Sequence, residues 1–307
     1  MFKPVYTVHR EVLITSEAFK EPNRHQRDSM KAQPWRQPHS LIIVFTAINA
    51  ALYAVGSFTT AYIPSPWGVG QFRPAVVIPA FFAVLFGPWA GGVGAALGTL
   101  IADSVKHGGI YPVSLLAAVP GNFIGFFIMG HLLRKKFNWA RFITVTNVSL
   151  LVANAVVAFL YVFIYKSLYA QTTAFIQSSG DALIALSLGL TIFWFVTMLP
   201  FVLLLVPPLM SAVTKAFPSM VPPELKANGA KPVPNRLLGA SMLAPGIIMI
   251  LIGLTVTYAP LGSYLSTNFA ASYLPITTLS LIQLLLYAGG LALSIVGSIY
   301  MFKKKTS

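Results

Sequence analysis

Long apolar runs alternate with short polar or Pro/Gly-rich breaks along most of this chain. Because the apolar residues are continuous over up to about 20 positions and do not alternate between two faces, each run predicts a membrane-spanning helix. The predicted spans are residues 41–62, 74–87, 89–105, 111–133, 142–165, 182–206, 237–260 and 276–302. We therefore expect an all-α polytopic membrane protein with eight spans.

The segment 74–104 tests this division, because its apolar residues could also form a single helix. Such a helix would be roughly 46 Å long, well beyond the ~30 Å hydrocarbon core of a bilayer. Gly87 and Pro88 stand near its centre, and such a dipeptide breaks helices. Two short, closely packed helices are the better prediction.

The basic residues agree with eight spans and predict cytoplasmic termini. Cytoplasmic segments of membrane proteins are enriched in Lys and Arg. With eight spans, all but three of the 21 Lys and Arg residues lie inside, and Arg73, Lys106 and Lys166 lie outside. Merging 74–104 into one span would move more than half of them outside. The pattern favours a multi-pass protein of the cell membrane with N- and C-termini in the cytoplasm.

Composition narrows the function classes. The 307 residues are 56% hydrophobic and 9% charged, whereas soluble domains have about a quarter of charged residues. The net charge of +14 arises beside the spans, so we expect contact with the lipid bilayer and no nucleic-acid partner. The sequence has no cysteine, no Walker A loop, no His-Glu-x-x-His motif and no cluster of its histidines. It therefore predicts neither an enzyme nor a metal site nor a cofactor.

The polar breaks divide the chain into four parts. Residues 1–40 form a polar cytoplasmic segment without the apolar core of a signal peptide, so the first span is expected to act as the insertion signal. Residues 41–215 form a six-span unit, 216–236 a cytoplasmic linker, and 237–307 a two-span hairpin with a basic tail. Because the hairpin spans carry no charge, we expect them to face lipid and to pack on the main bundle or on a partner.

One acidic side chain of the six-span unit lies at membrane depth. Asp103 stands near the outer end of the third span, and Lys106 and His107 follow three and four positions later on one helix face. Ionisable groups at this depth usually face a cavity or a partner. Asp103 and Lys106 are therefore candidate contacts to a polar ligand. The alternative is an interfacial ion pair between the two.

An amide and four aromatic residues complete the candidate substrate site: Trp67, Asn122, Tyr161, Tyr165 and Trp194. A buried amide needs a partner, so Asn122 either bonds across helices or contacts a ligand. The two tyrosines are compatible with an aromatic belt as well as with a pocket. Trp67 lies in a Gly/Pro-rich outer loop, residues 63–73, that either closes over a pocket or simply connects two spans.

Small residues recur at helical spacing in the first and third spans. A ridge of Ala and Gly runs from Ala90 to Ala102 on span three, and Ala47 and Ala51 form a shorter one on span one. Small residues four positions apart let helix backbones approach closely. Packing within the chain is the ordinary explanation, and docking of another subunit on span one is the sharper alternative.

Two phrases of the sequence resemble a known family. In residues 72–103 a Gly-Pro pair is followed by spaced glycines and a terminal Asp, and residues 120–125 read Pro-Gly-Asn-Phe-Ile-Gly. The first phrase resembles the segment that joins spans two and three in the substrate-binding S components of energy-coupling factor (ECF) vitamin transporters. The second resembles the Asn/Gly phrase of riboflavin-type members. Ala47 and Ala51 match the Ala-x-x-x-Ala motif by which such proteins dock.

The resemblance covers about residues 41–215 and implies a six-helix S-component bundle with an added C-terminal hairpin. It implies a non-enzymatic subunit that binds a small nutrient, a vitamin such as riboflavin. The implied partners are an ECF transmembrane coupling subunit, docked on Ala47 and Ala51, and ATPase subunits. The candidate ligand contacts would lie at the outer ends of spans three to six. The runner-up from another class is a membrane sensor or assembly protein without transport activity.

Overall fold

The computed structural model describes residues 38–66, 70–168, 180–229, 231–259 and 276–303, with all side chains except those of Lys135 and residues 276–282. Throughout these residues the fold is helical and contains no strand. The helices are α1 (His39–Thr59), α2 (Val77–Phe86, after a 3-10 turn Pro74–Val76), α3 (Pro88–His107), α4 (a π-helical start Ser114–Ala118 that continues as Val119–Lys135), α5 (Trp139–Leu168), α6 (Gly180–Ala216), α7 (Pro223–Gly229), α8 (Asn235–Tyr258) and α9 (Ile276–Phe302).

Six helices of the described chain are long and apolar enough to cross a bilayer: α1, α4, α5, α6, α8 and the part of α9 from Gln283 to Phe302. The predicted class of multi-pass helical membrane protein is therefore confirmed. α2 has ten residues and is only about 15 Å long. α6 continues beyond its predicted end at 206 to Ala216, although it contains Pro200, Pro207 and Pro208. Membrane helices tolerate proline because neighbouring groups satisfy the backbone carbonyls that it frees.

α2 and α3 form a tight hairpin and not one long helix. Gly87 between them has a φ of 89°, a left-handed value that glycine adopts without strain. A Cβ on Gly91 would overlap Ala83, so the two helices are in close contact. The predicted division of residues 74–104 into two short helices is confirmed.

α1 and α3 pack through the small residues of α3. The Asn49 amide of α1 donates to the Ala90 carbonyl over 2.8 Å. A Cβ on Gly94 would overlap that amide, and one on Gly98 would lie 2.8 Å from the Ala50 carbonyl oxygen. The small-residue ridge of α3 therefore serves packing within the chain, which is the ordinary explanation of such spacing.

The C-terminal hairpin of α8 and α9 is also held together by glycines. A Cβ on Gly290 would lie 2.7 Å from the Gly246 carbonyl oxygen. α8 packs against α6 and α5, where the Asn147 amide lies 3.4 Å from the Ser241 hydroxyl. α9 packs mainly on α8. The hairpin thus lies on the main bundle, which is one of the two arrangements expected from its lack of charge.

Candidate functional site: a buried polar cluster around Asp103

The Asp103 carboxylate is the centre of a buried polar cluster at one end of the bundle. Its Oδ1 accepts hydrogen bonds from the Arg73 guanidinium and, at 3.3 Å, from Gln71 Nε2. Its Oδ2 accepts one from the Ser114 hydroxyl at 2.6 Å. The side chain of Asp103 is 9% exposed and that of Arg73 is 12% exposed. Both carboxylate oxygens are therefore satisfied within the chain.

Arg73 is the ionic partner of Asp103 and reaches it from the linker between α1 and α2. Its guanidinium also donates to the Thr99 hydroxyl, one turn before Asp103 on α3. Burial acts to lower the pKa of Arg73, but the Asp103 carboxylate and Tyr53 together outweigh burial and raise the pKa above its usual value. The alternative expectation for Asp103 was an ion pair with Lys106. Asp103 does form an ion pair, but its partner is Arg73.

Gln71 connects this cluster to α6. Its backbone carbonyl accepts a hydrogen bond from Trp194 Nε1 at 2.9 Å, and its side-chain oxygen accepts one from the Lys106 amine at 3.0 Å. Gly70, with a φ of 76°, packs so closely against the Trp194 indole that a Cβ would overlap the ring. Three predicted site residues, Asp103, Lys106 and Trp194, are therefore brought together around Gln71.

The predicted tyrosines lie beside the cluster on α5. The Tyr161 side chain lies close to Tyr111 and to the Asp103 carboxylate. The Tyr165 ring is 5.8 Å from that of Tyr161, between centroids. Tyr111 in turn stacks on His107 at the end of α3, with 3.8 Å between centroids. Aromatic faces and hydrogen-bonding groups therefore meet at the same end of the bundle.

The remaining predicted residues either make no hydrogen bond to the cluster or lie outside the described residues. The Asn122 amide donates one hydrogen bond to the Ala118 carbonyl of its own helix at 2.9 Å. Trp67 lies outside the described residues. Ala47 and Ala51 are exposed on α1, on a face turned away from α3.

The residues that hold the cluster together were missed from the sequence: Gln71, Arg73, Thr99, Tyr111 and Ser114. One signal was present, because Arg73 is among the three basic residues assigned to the outer side and Asp103 is the acid at membrane depth. A buried carboxylate requires a cation nearby. Among the described residues, no three His, Cys, Asp or Glu side chains group together.

The fold and the cluster define a class: a polytopic helical membrane protein whose buried polar groups meet at one end of the bundle. The model of the family "ECF-type riboflavin transporter, S component" matches residues 40–205. Because the match covers more than half of the 307 residues, the chain belongs to this family. It is a membrane-embedded substrate-binding subunit of an ECF transporter and not an enzyme. Neither the comparison with curated proteins nor that with solved structures finds a match.

The matched residues begin at the start of α1 and end within α6. They include residues 72–103, and the family resemblance seen there is confirmed. α8 and α9 lie beyond the match, so the hairpin is an addition to the part that defines the family.

Proposed function

We propose that this chain captures riboflavin, or a closely related vitamin, from outside the cell and delivers it to a transport complex. The family match over residues 40–205 is the observation that carries the proposal. Riboflavin combines a flat aromatic ring with a polyhydroxyl chain, so its pocket needs aromatic faces and hydrogen-bonding groups together. Trp194, Tyr161 and Tyr165 offer the first and the groups around Asp103 the second. The proposed contact set also includes Trp67, Lys106 and Asn122.

We further propose eight spans with both termini in the cytoplasm. The helix directions support this topology: Phe45 stacks on Phe86, whereas Gly56 meets Ala75, so α2 runs antiparallel to α1. α3 then returns parallel to α1, since Asn49 meets Ala90 while residues further along α1 meet Gly98. These reversals are the ones that two crossings within residues 74–105 require.

Single engineered cysteines test this topology cleanly, because the natural chain has no cysteine. Gly109→Cys, between α3 and α4, should react with an impermeant maleimide added to intact cells. Asn138→Cys, between α4 and α5, should react only after permeabilisation. The opposite accessibilities would show that residues 74–104 cross the membrane once.

We propose that the exposed face of α1 docks a transmembrane coupling subunit, which ATPase subunits drive to reorient this chain in the bilayer. α1 directs Asn49 and Ala50 toward α3, and it leaves Ala47 and Ala51 exposed on another face. Two small residues four positions apart on this exposed face allow a second helix to pack closely. The docking surface therefore differs from the surface that holds the bundle together.

Binding and transport can be tested separately with the full chain. Titration in nanodiscs with riboflavin should quench the flavin fluorescence stoichiometrically. Ala51→Trp should preserve this binding and abolish uptake in cells that supply the coupling and ATPase subunits, because a bulky ring prevents close helix approach. Leu151→Trp, at an exposed position of α5, is the matched control and should preserve both. If neither riboflavin nor any other vitamin binds, the sensor or assembly function replaces the transport function.

A further inference from the structure

The described parts of the linker between α1 and α2 are bonded to each other. These two parts, residues 60–66 and 70–73, are joined by hydrogen bonds from Phe72 N to the Ile63 carbonyl at 2.8 Å and from Ser65 N to the Gly70 carbonyl at 3.1 Å. Ser65 is fully buried. The two parts therefore move together, and whatever holds one part also holds the other.

This linker is fastened to the bundle by polar bonds from two helices. On α3, Asp103 binds Arg73, and Lys106 Nζ donates to the Ala61 carbonyl at 2.7 Å. On α6, Trp194 Nε1 donates to the Gln71 carbonyl at 2.9 Å. Among these bonds the ion pair is the one whose loss leaves a buried, uncompensated charge, and such losses are strongly destabilising.

We propose that Arg73 and Asp103 are positioning residues for the binding end, which is the end of the bundle where the polar cluster around Asp103 lies. Their ion pair holds the linker against α3 and α6, and Asp103 acts on the ligand through the linker instead of touching it. Both carboxylate oxygens already accept bonds from Arg73, Gln71 and Ser114, and the side chain is only 9% exposed, so little of the carboxylate is open to a ligand. Only the identity of the ligand in this inference rests on the proposed function.

The test uses Ser65→Cys in the otherwise cysteine-free chain, reconstituted in nanodiscs, with maleimide labelling as the measure of linker opening. Labelling should be slow in Ser65→Cys alone and more than about tenfold faster when Asp103→Asn is added, because Arg73 loses its counter-charge. Adding Arg73→Gln to the Ser65→Cys, Asp103→Asn variant should bring the labelling rate most of the way back to that of Ser65→Cys alone, since no buried charge is then left unpaired. Asp181→Asn removes an exposed carboxylate from the first turn of α6 and should change nothing.

Ser149→Cys, at a fully buried position of α5, controls for loss of the whole fold and should stay unreactive with Asp103→Asn. If its labelling rises as well, the pair holds the bundle and not the linker, and the proposal fails. It also fails if Asp103→Asn leaves Ser65→Cys labelling unchanged, or if Arg73→Gln gives no recovery.

Riboflavin separates this inference from the proposed function. Saturating riboflavin should slow the labelling of Ser65→Cys, and Asp103→Asn should speed riboflavin dissociation by about tenfold while the binding stoichiometry stays the same. An effect of Asp103→Asn on labelling without any effect of riboflavin would support the positioning role and overturn the ligand. Slowing by riboflavin without an effect of Asp103→Asn would overturn the positioning role alone.

Discussion

The family-matched part of the chain, residues 40–205, and the C-terminal hairpin both use glycine to bring helices into contact, but they combine it with different chemistry. In the family-matched part, Gly94 of α3 meets an amide of α1, and Asp103 near the end of the same helix pairs with the buried Arg73. In the hairpin, Gly246 meets the Ser294 hydroxyl and Gly290 meets backbone atoms and Ile250, and a polar contact between Thr257 and Tyr287 lies at an exposed position.

This comparison shows that the requirements for packing two helices differ from the requirements for forming a binding site. Glycine contacts suffice to join two membrane helices, because the backbones gain van der Waals contact that lipid does not offer as well. A site needs polar groups in addition, and each buried polar group must find a partner. A substitution at a glycine contact in the family-matched part should therefore weaken ligand binding. A substitution at a glycine contact in the hairpin should loosen only the hairpin.

The largest effect is expected from Gly94→Ala. Its new methyl group would overlap the Asn49 amide, which forces α1 away from α3 at a cost of about 2–3 kcal/mol. We expect a lower melting temperature and loss of riboflavin binding in nanodiscs. Gly109→Ala is the matched control, because a Cβ there meets nothing within 4 Å. Unchanged binding in Gly94→Ala would break the link between α1–α3 packing and the binding end.

An intermediate effect is expected from Gly290→Ala in the hairpin. The methyl group would lie 2.7 Å from the Gly246 carbonyl oxygen and should loosen α8 and α9 by about 1–3 kcal/mol. Hydrogen exchange should rise in these two helices and not in α1–α4, and riboflavin affinity should stay the same. Gly229→Ala serves as the control, since its Cβ has open space. A large loss of affinity would show that the hairpin is part of the binding unit.

The smallest effects compare a hydrogen bond within the polar cluster with one that joins the main bundle to the hairpin. Trp194→Phe removes the bond to the Gln71 carbonyl and should weaken riboflavin binding by roughly fivefold, in keeping with about 1 kcal/mol for a buried hydrogen bond. Asn147→Ala removes the 3.4 Å contact to Ser241 of α8, and we expect a change below about 0.5 kcal/mol in stability. Calorimetric titration and thermal unfolding of both variants measure the contrast. Equal losses of affinity would contradict it.

Much of the fold was predictable, because apolar runs and their breaks are dictated by the bilayer. The Gly87-Pro88 break correctly separated α2 from α3. The end of α6 differs from the predicted end at residue 206, because the helix continues through Pro207 and Pro208 to Ala216. Local sequence patterns therefore predict the presence of a helix better than they predict the residue at which it ends.

The candidate site was predictable only where a residue is unusual in its setting. Asp103 and Lys106 stand out because charges at membrane depth are rare. Gln71 and Ser114 do not stand out, since polar residues are common in a linker and at a helix start, and their partners depend on how the linker folds. Asn122 shows a local alternative to the two partners expected for a buried amide. Its Nδ2 donates to the carbonyl four residues earlier, and its role as a ligand contact stays a prediction.

The pairing of Arg73 with Asp103 also bears on movement through a low-dielectric medium. Transferring one isolated ion from water to such a medium has an idealised cost of order 20 kcal/mol. Two opposite charges in contact, screened by Thr99 and Ser114, expose only a small dipole to the surrounding lipid. In the reorientation proposed for this subunit, the Arg73–Asp103 pair would therefore move as an electrically neutral unit, at a lower cost than two separated ions.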